Sequence, residues 1–453
     1  MFTTCYPSQS TGRVGVALVL IAAVAALSAL LPTPVQAQTE AVIHNFTYST
    51  FTPQLGCPPG TVNANPHTGL LFYKGHLYGT TPEGGTGAKL VADSDDGMVF
   101  QLTAPKSAGT PWKEKTLHSF VPDISPDDGA FPCSRLIESN GVLYGTTMLG
   151  GNGIGTIFAL TPPITGQTTW TETILYTFMG ESDGEEPFDG LVMGGSGGLY
   201  GVTRLGLSGI NTPAVFKFAD GEITHLTKTS DCTNPKGDPC IYNGDLLLDS
   251  STGSLFGTTQ NGGVNGYGNV FELTPSGGIW NYTDLYDFTG GSDGATPNGG
   301  LAGGAGDLFG TTQGGGGGTG SDGGGVLFEL RQEIGGDPLY TLIVQHTFDG
   351  GVAADGAVPG AGLYKDVAGT LWGTTEYGGP FRLHFETYGT IFELYPDPVV
   401  VHEWHYAEVY AFAGEPDGAY PQGLLTEDKK GNLYGTTNAG GSANGGTVFQ
   451  FTP

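Results

Sequence analysis

Five aspartates recur in one short pattern, and they are the first candidates for chemistry. They stand in Asp128-Gly129-Ala130-Phe131-Pro132, Asp183-Gly184, Asp293-Gly294-Ala295-Thr296-Pro297, Asp355-Gly356-Ala357-Val358-Pro359 and Asp417-Gly418-Ala419-Tyr420-Pro421. Carboxylate and carbonyl oxygens suit a hard cation such as calcium, or sugar hydroxyls. Asp-Gly is also turn chemistry, in which the carboxylate accepts N–H groups of its own loop. Recurrence favours the turn, because a catalytic group is usually needed once.

The histidines offer less. His44, His118 and His346 fall where other copies of the same segment carry Tyr176, Tyr286 and Tyr410. A position that accepts His or Tyr is a packing position with a polar tip. His402-Glu403-Trp404-His405 is one residue short of the zinc pattern His-Glu-x-x-His and reads as strand rather than helix. The sequence contains no Gly-x-Ser-x-Gly elbow, no phosphate loop and no Cys-x-x-Cys pair. No catalytic residue and no cofactor site is assigned on these grounds.

Departures from the repeated pattern are more informative. Val202-Thr203-Arg204 breaks a recurrent Thr-Thr pair, and Pro380-Phe381-Arg382-Leu383-His384-Phe385-Glu386 is an insertion. Arg204, Arg382 and His384 are rare basic groups in an acidic chain. With the aromatic rings of Tyr377, Phe381 and Phe385 they are the expected contacts for an anionic or polyhydroxy ligand. The plain alternative is ordinary loop variation.

What must position these residues is a repeat. Leu77-Tyr78-Gly79-Thr80-Thr81 returns with its glycine at 145, 201, 257, 310, 373 and 435, at spacings of 66, 56, 56, 53, 63 and 62 residues. Periods of this length mark propellers, solenoids or arrays. Each copy is followed by a second element such as Val99-Phe100-Gln101-Leu102, then a third such as Leu117-His118-Ser119-Phe120. A short apolar run precedes it, as in Gly423-Leu424-Leu425. All are short, rich in β-branched and aromatic residues, and bounded by Gly, Asp, Asn or Pro.

Four strands per copy and seven copies predict an all-β fold, a seven-bladed β-propeller. The strands are a to d from the axis outwards, with Leu433 to Thr437 a strand b and Val448 to Phe451 a strand c. The sequence ends after a strand c, and Val42-Ile43-His44-Asn45-Phe46 matches a strand d. The amino-terminal strand is therefore expected to complete the last blade and close the ring. The aromatic residue of strand b is expected to pack between blades. The glycine after it is expected to mark a close backbone approach or a bulge. The d-to-a loops, with Asp-Gly, and the b-to-c loops, with Gly-Gly, are expected to share one face around the axis.

Residues 1–37 read as a secretory signal peptide: Arg13, an apolar run from Val14 to Leu31, and a small-residue site at Val35-Gln36-Ala37. Residues 38–453 are then a single propeller domain. All 44 acidic residues follow the leader, and the chain's formal net charge is −28. Such a surface repels nucleic acid and anionic membranes. Of five cysteines, Cys5 leaves with the leader. The remaining four suggest disulfides in an exported protein, with Cys232–Cys240 the expected pair and Cys57–Cys133 the other.

The Leu-Tyr-Gly-Thr-Thr, Gly-Gly, Val-Phe-x-Leu-Thr-Pro and Asp-Gly-Ala-x-Pro elements resemble the GloVer tandem repeat of exported bacterial proteins, also called choice-of-anchor. The resemblance implies location and repeat type, and brings no established activity. Because no sorting tail follows Phe451-Thr452-Pro453, a released or periplasmic protein is expected. A monomer, free of the membrane after loss of the leader, is expected as well. Three functions stay open. The first is a non-enzymatic binding or scaffold protein for a glycan or protein. The second is an extracellular polysaccharide hydrolase or lyase. The third is a structural surface or adhesion unit. Unpaired polar groups at the axial mouth favour the enzyme, and a smooth, Gly-lined mouth favours binding.

Overall fold

In the computed structural model, residues 38–47, 68–85, 97–107, 110–121, 128–151, 154–180, 183–195, 197–205, 213–228, 231–237, 240–304, 306–317, 323–333, 335, 340–349, 355–379 and 387–453 are described. The expected leader, Cys57, and Phe381, Arg382, His384 and Phe385 lie outside them. Among the described residues every regular element is a strand, and no helix is long and apolar enough to cross a membrane.

Seven antiparallel sheets form the blades of a β-propeller. Blade 1 comprises Leu71–Tyr73, His76–Thr81, Met98–Thr103 and Lys113–Ser119 as strands a to d. Blades 2 to 6 follow in sequence. Blade 7 takes its outer strand from Thr39–Thr47, which pairs with Asn444–Thr452 as expected. This ring closure leaves blade 7 with the same four-layer order as the rest and removes an open edge.

One packing unit is repeated seven times. The strand-b glycine stands opposite a strand-c phenylalanine in every blade: Gly79 faces Phe100, Gly145 Phe158, Gly201 Phe216, Gly257 Phe271, Gly310 Phe328, Gly373 Phe392 and Gly435 Phe449. The phenylalanine ring lies over the glycine, and a leucine at the entry to strand a closes the other side. A Cβ at Gly79 would stand 2.6 Å from Phe100 and 2.8 Å from Leu70. The expected backbone approach or bulge is thus not what the glycine serves; it makes room for two side chains. The register irregularity falls between strands c and d instead, as between Val99 and Phe100.

The strand-b aromatic packs on the next blade, as expected. Tyr434 stacks on Phe72 and meets Trp112 edge-on, both of blade 1. Tyr78 meets Trp170 of blade 2, and Phe309 meets Trp404 of blade 6. The first threonine of the pair also joins blades. Thr80 donates to the Ser134 carbonyl at 3.0 Å, Thr146 to that of Asp189 at 3.4 Å, and Thr436 to that of Thr68 at 3.1 Å. The second threonine holds its own b-to-c turn, as Thr375 does by donating to the Tyr377 carbonyl.

The innermost strands are shorter than expected. In blade 7, strand a is Thr426–Glu427, and a separate segment, Gly418–Pro421, pairs with the far end of strand b. Pro421 removes an N–H between the two, and Gly423 lies where the inner strands converge. A Cβ on Gly423 would stand 2.6 Å from the Thr68 carbonyl oxygen.

Candidate functional site

The Asp-Gly segments pair with the extension of strand b in their own blade. Gly129 faces Gly150, Ala295 faces Gly314, Ala357 bridges Tyr377, and Gly418 faces Gly440. The d-to-a and b-to-c loops therefore share one face. The aspartates hold these loops together. Asp128 accepts from the Val121 and Gly129 N–H groups, and Asp417 from those of Ala413 and Gly418. Asp183 and Asp293 do the same within their loops. The polar tips of strand d complete each cradle: the Tyr176, Tyr286 and Tyr410 hydroxyls donate to Asp183, Asp293 and Asp417. The His118 and His346 rings meet Asp128 and Asp355 at 3.3 and 3.1 Å. These carboxylates are thus engaged in turn chemistry.

At the centre of this face the blades enclose a cavity of about 610 Å³. Its wall includes a ring of equivalent positions, one per blade, each immediately before the buried leucine at the entry to strand a. In blade order these are Gly69, Arg135, Gly190, Asp245, Gly300, Gly362 and Leu424, and all seven line the cavity. Glycine is needed here because the inner strands nearly touch: a Cβ on Gly362 would stand 2.8 Å from the Gly300 carbonyl oxygen. Arg135, Asp245 and Leu424 break this rule, and the first two carry charge. One residue earlier in the repeat, Asp189 breaks it too, where other blades have Gly244, Gly299 and Gly423.

The three charged side chains converge. The Arg135 Nε donates to Asp245 Oδ2 at 3.2 Å, and the Gly190 N–H donates to Asp245 Oδ1 at 2.7 Å. Asp245 therefore ties blades 2, 3 and 4. Asp189 stands beside it with an Oδ2 that is buried and without a hydrogen-bond partner. Asp189 as a whole is half-buried and lines the cavity. Burial, and then the neighbouring Asp245 charge, push the Asp189 carboxyl up to about 8, against a hydrogen bond from the Gly244 backbone and the charge of Arg204. A carboxyl so placed is protonated at neutral pH and is a hydrogen-bond donor.

A second ring comes from the residue after the second strand-b threonine. Arg204, Gln260, Gln313 and Glu376, from blades 3 to 6, all line the cavity. The Arg204 guanidinium carbon lies 5.5 Å from the centre of the Phe188 ring. Among the described residues it has no carboxylate within salt-bridge distance. Burial raises the Glu376 carboxyl, opposed by hydrogen bonds with Tyr377 and Gln422.

Of the ligand contacts expected from sequence, Arg204 reaches the cavity. Tyr377 is 42% exposed on the rim near Tyr420 and does not line the cavity. The Cys232–Cys240 disulfide is present, and Cys133 is disulfide-bonded as well, its expected partner Cys57 lying outside the described residues. Arg135, Asp189 and Asp245 were not singled out by sequence reasoning. The signal lay in the residues preceding the buried leucines at 70, 136, 191, 246, 301, 363 and 425, where charge replaces glycine.

Similar folds occur in proteins of several kinds. A Bacteroides uniformis protein of suggested 6-phosphogluconolactonase activity matches at 13% identity and TM-score 0.47, covering 84% of this chain and all of that one. Trypanosoma rangeli sialidase matches at 9% identity and TM-score 0.38, over 86% of this chain and 54% of the sialidase. A Dyadobacter fermentans protein of unknown function matches at 11% identity and TM-score 0.38, over 82% and 96% of the two chains. Likeness at these levels carries no argument about activity. None of the curated proteins matches the chain. The Gloeobacter/Verrucomicrobia repeat matches three overlapping stretches, residues 36–247, 150–385 and 241–449, and the chain belongs to that repeat family.

Proposed function

We propose that this is an exported binding protein, secreted or periplasmic, that takes a polar, polyhydroxy ligand such as a glycan into the axial cavity. One observation carries the reading. A cavity lined by glycine, leucine and amide side chains bears one asymmetric cluster of charged side chains on its blade 2 to 4 side, Arg135, Asp189, Asp245 and Arg204, with Glu376 on blade 6. About 610 Å³ falls within the usual range of ligand sites, roughly 300–1,000 Å³. Gln260, Gln313, Gln422 and Asn298 supply the paired donors and acceptors that sugar hydroxyls require.

A second reading, a polysaccharide hydrolase, is favoured by the carboxyl pair itself. Asp189 is held protonated beside Asp245, which is paired with Arg135, and a protonated carboxyl next to a second carboxyl is an arrangement that can serve acid–base chemistry.

A glycan and peptide array, run with and without calcium, tests both. The parent protein is expected to retain a glycan without releasing new reducing ends, and the Arg135→Ala, Asp245→Ala variant to lose it while remaining folded by circular dichroism. Binding that persists in the variant rules out the axial site. Release of reducing ends establishes the hydrolase instead. Signals that require calcium would move the site to the Asp-Gly loops.

A further inference from the structure

The charge balance of the cavity is at odds with that of the rest of the molecule. The chain carries a formal net charge of −28, yet the cluster on the blade 2 to 4 side of the cavity sets two guanidinium groups, Arg135 and Arg204, beside two carboxyls, of which Asp245 is already paired with Arg135. Arg135 spends Nε on Asp245, and among the described residues neither of its Nη groups has a hydrogen-bond partner. Arg204 lies over the Phe188 ring, its guanidinium carbon 5.5 Å from the ring centre, and among the described residues it has no ion-pair partner, although Glu186 acts on it from a distance. An arginine braced on an aromatic ring and left without a carboxylate is preorganised for a planar anion. The Asp189 carboxyl adds its Oδ2, buried and unpaired, from the same wall. Only a group able to accept a proton-bearing hydrogen bond satisfies it without leaving a buried polar atom orphaned.

We propose that the axial site takes a carboxylate-bearing sugar, a hexuronate unit of an acidic glycan, with its carboxylate between Arg204 and Arg135 and the Asp189 O–H donating to it. This rests on the axial cavity being the binding site and names the class of ligand. The repeated part of the wall, with Gln260, Gln313 and Gln422, faces the sugar hydroxyls.

Proton linkage follows from the placement of Asp189. The charged groups acting on its carboxyl are Asp245 of blade 4 and Arg204 of its own blade, with the Gly244 backbone donating a hydrogen bond. While Asp189 is protonated it donates to the ligand carboxylate; once ionised it repels it. Affinity is therefore level from about pH 5 to 7 and falls as the pH rises past about 8, by up to tenfold per unit, because the complex holds one proton that the free protein releases.

Isothermal titration with trimers of galacturonate, glucuronate and mannuronate, each beside its methyl ester, tests the proposal on the unaltered protein. At least one free acid is expected to bind tenfold or more tightly than its ester. Arg204→Gln, checked for folding by its melting curve, is expected to lose at least tenfold in affinity for that acid. Asp189→Asn is expected to abolish the decline between pH 7 and 9. Acid and ester of equal affinity, or no uronate bound while neutral glycans are, overturns the anionic class and leaves the axial binding reading standing. Failure of every glycan, neutral or acidic, overturns both.

Discussion

Two layers of the propeller, only a few residues apart along each strand, obey opposite rules. In the packing layer, glycine, phenylalanine and leucine meet in the same way in all seven blades, and all seven phenylalanines are fully buried. In the axial ring directly above, blades 1, 3, 5 and 6 keep glycine and blade 7 has Leu424, while Arg135 of blade 2 and Asp245 of blade 4, with Asp189 one residue before the ring position of blade 3, meet around one point. The first layer is sevenfold because every blade faces the same neighbour problem. The second departs from symmetry because a ligand, unlike a neighbouring blade, is met once. Stability belongs to what repeats, and recognition to what does not.

The comparison breaks most severely if ring closure is not what holds the packing layer together. Deleting residues 40–47 removes the outer strand of blade 7 and takes Phe46 out of the core that blade 7 shares with blade 1. Cooperative unfolding in a calorimeter is expected to disappear. A single sharp transition at the parent temperature would refute closure by this strand.

Next in size are changes inside the packing layer. Phe328→Ala is expected to cost about 3–5 kcal/mol, and Phe100→Ala and Phe271→Ala about the same, because each ring is fully buried over its strand-b glycine. Tyr434→Ala, at the blade 7 to blade 1 contact, belongs to the same class. Gly310→Ala forces a Cβ to within 2.5 Å of Phe328 and is expected to cost about 1–3 kcal/mol. Denaturant titrations measure all of these. Costs that differed widely between blades would show that the seven units are not equivalent.

A smaller effect is expected from three glutamates on strand d. Burial pushes Glu40, Glu172 and Glu408 each up to about 7 from an ordinary value of 4.5. Nearby aspartates add to this: Asp417 acts on Glu40, Asp128 on Glu172 and Asp355 on Glu408. A folded-state value above the unfolded one means that the native protein holds the extra protons. Their stabilising share is complete below about pH 4.5 and is lost as the pH rises through about 7. Melting temperature is expected to fall across that window, and Glu172→Gln to flatten part of the slope. A slope unchanged by that substitution would contradict the assignment.

The fold was legible because the repeat states it seven times. Leu-Tyr-Gly-Thr-Thr fixes strand b, and the outer strand was readable from Val42 to Phe46. The roles within the repeat were less so. The spacing of Gly79 says nothing of Phe100 lying on it, which depends on cross-strand register. Arg204 stood out because it breaks a visible pair, and it does reach the cavity. Arg135, Asp189 and Asp245 each differ from the repeat by one residue in a short, variable run. Only convergence of three blades makes them one cluster, and that convergence is a property of the closed ring.

The most direct test restores the symmetry. Arg135→Gly, Asp189→Gly and Asp245→Gly together give blades 2, 3 and 4 the residue that other blades carry at the same places. Removing a partly buried ion pair and a buried carboxyl is expected to leave the melting temperature within a few degrees of the parent. Titration with the glycan that the parent retains is then expected to show no binding. Undiminished affinity in this folded variant would contradict the claim that recognition lies where the repeat is broken.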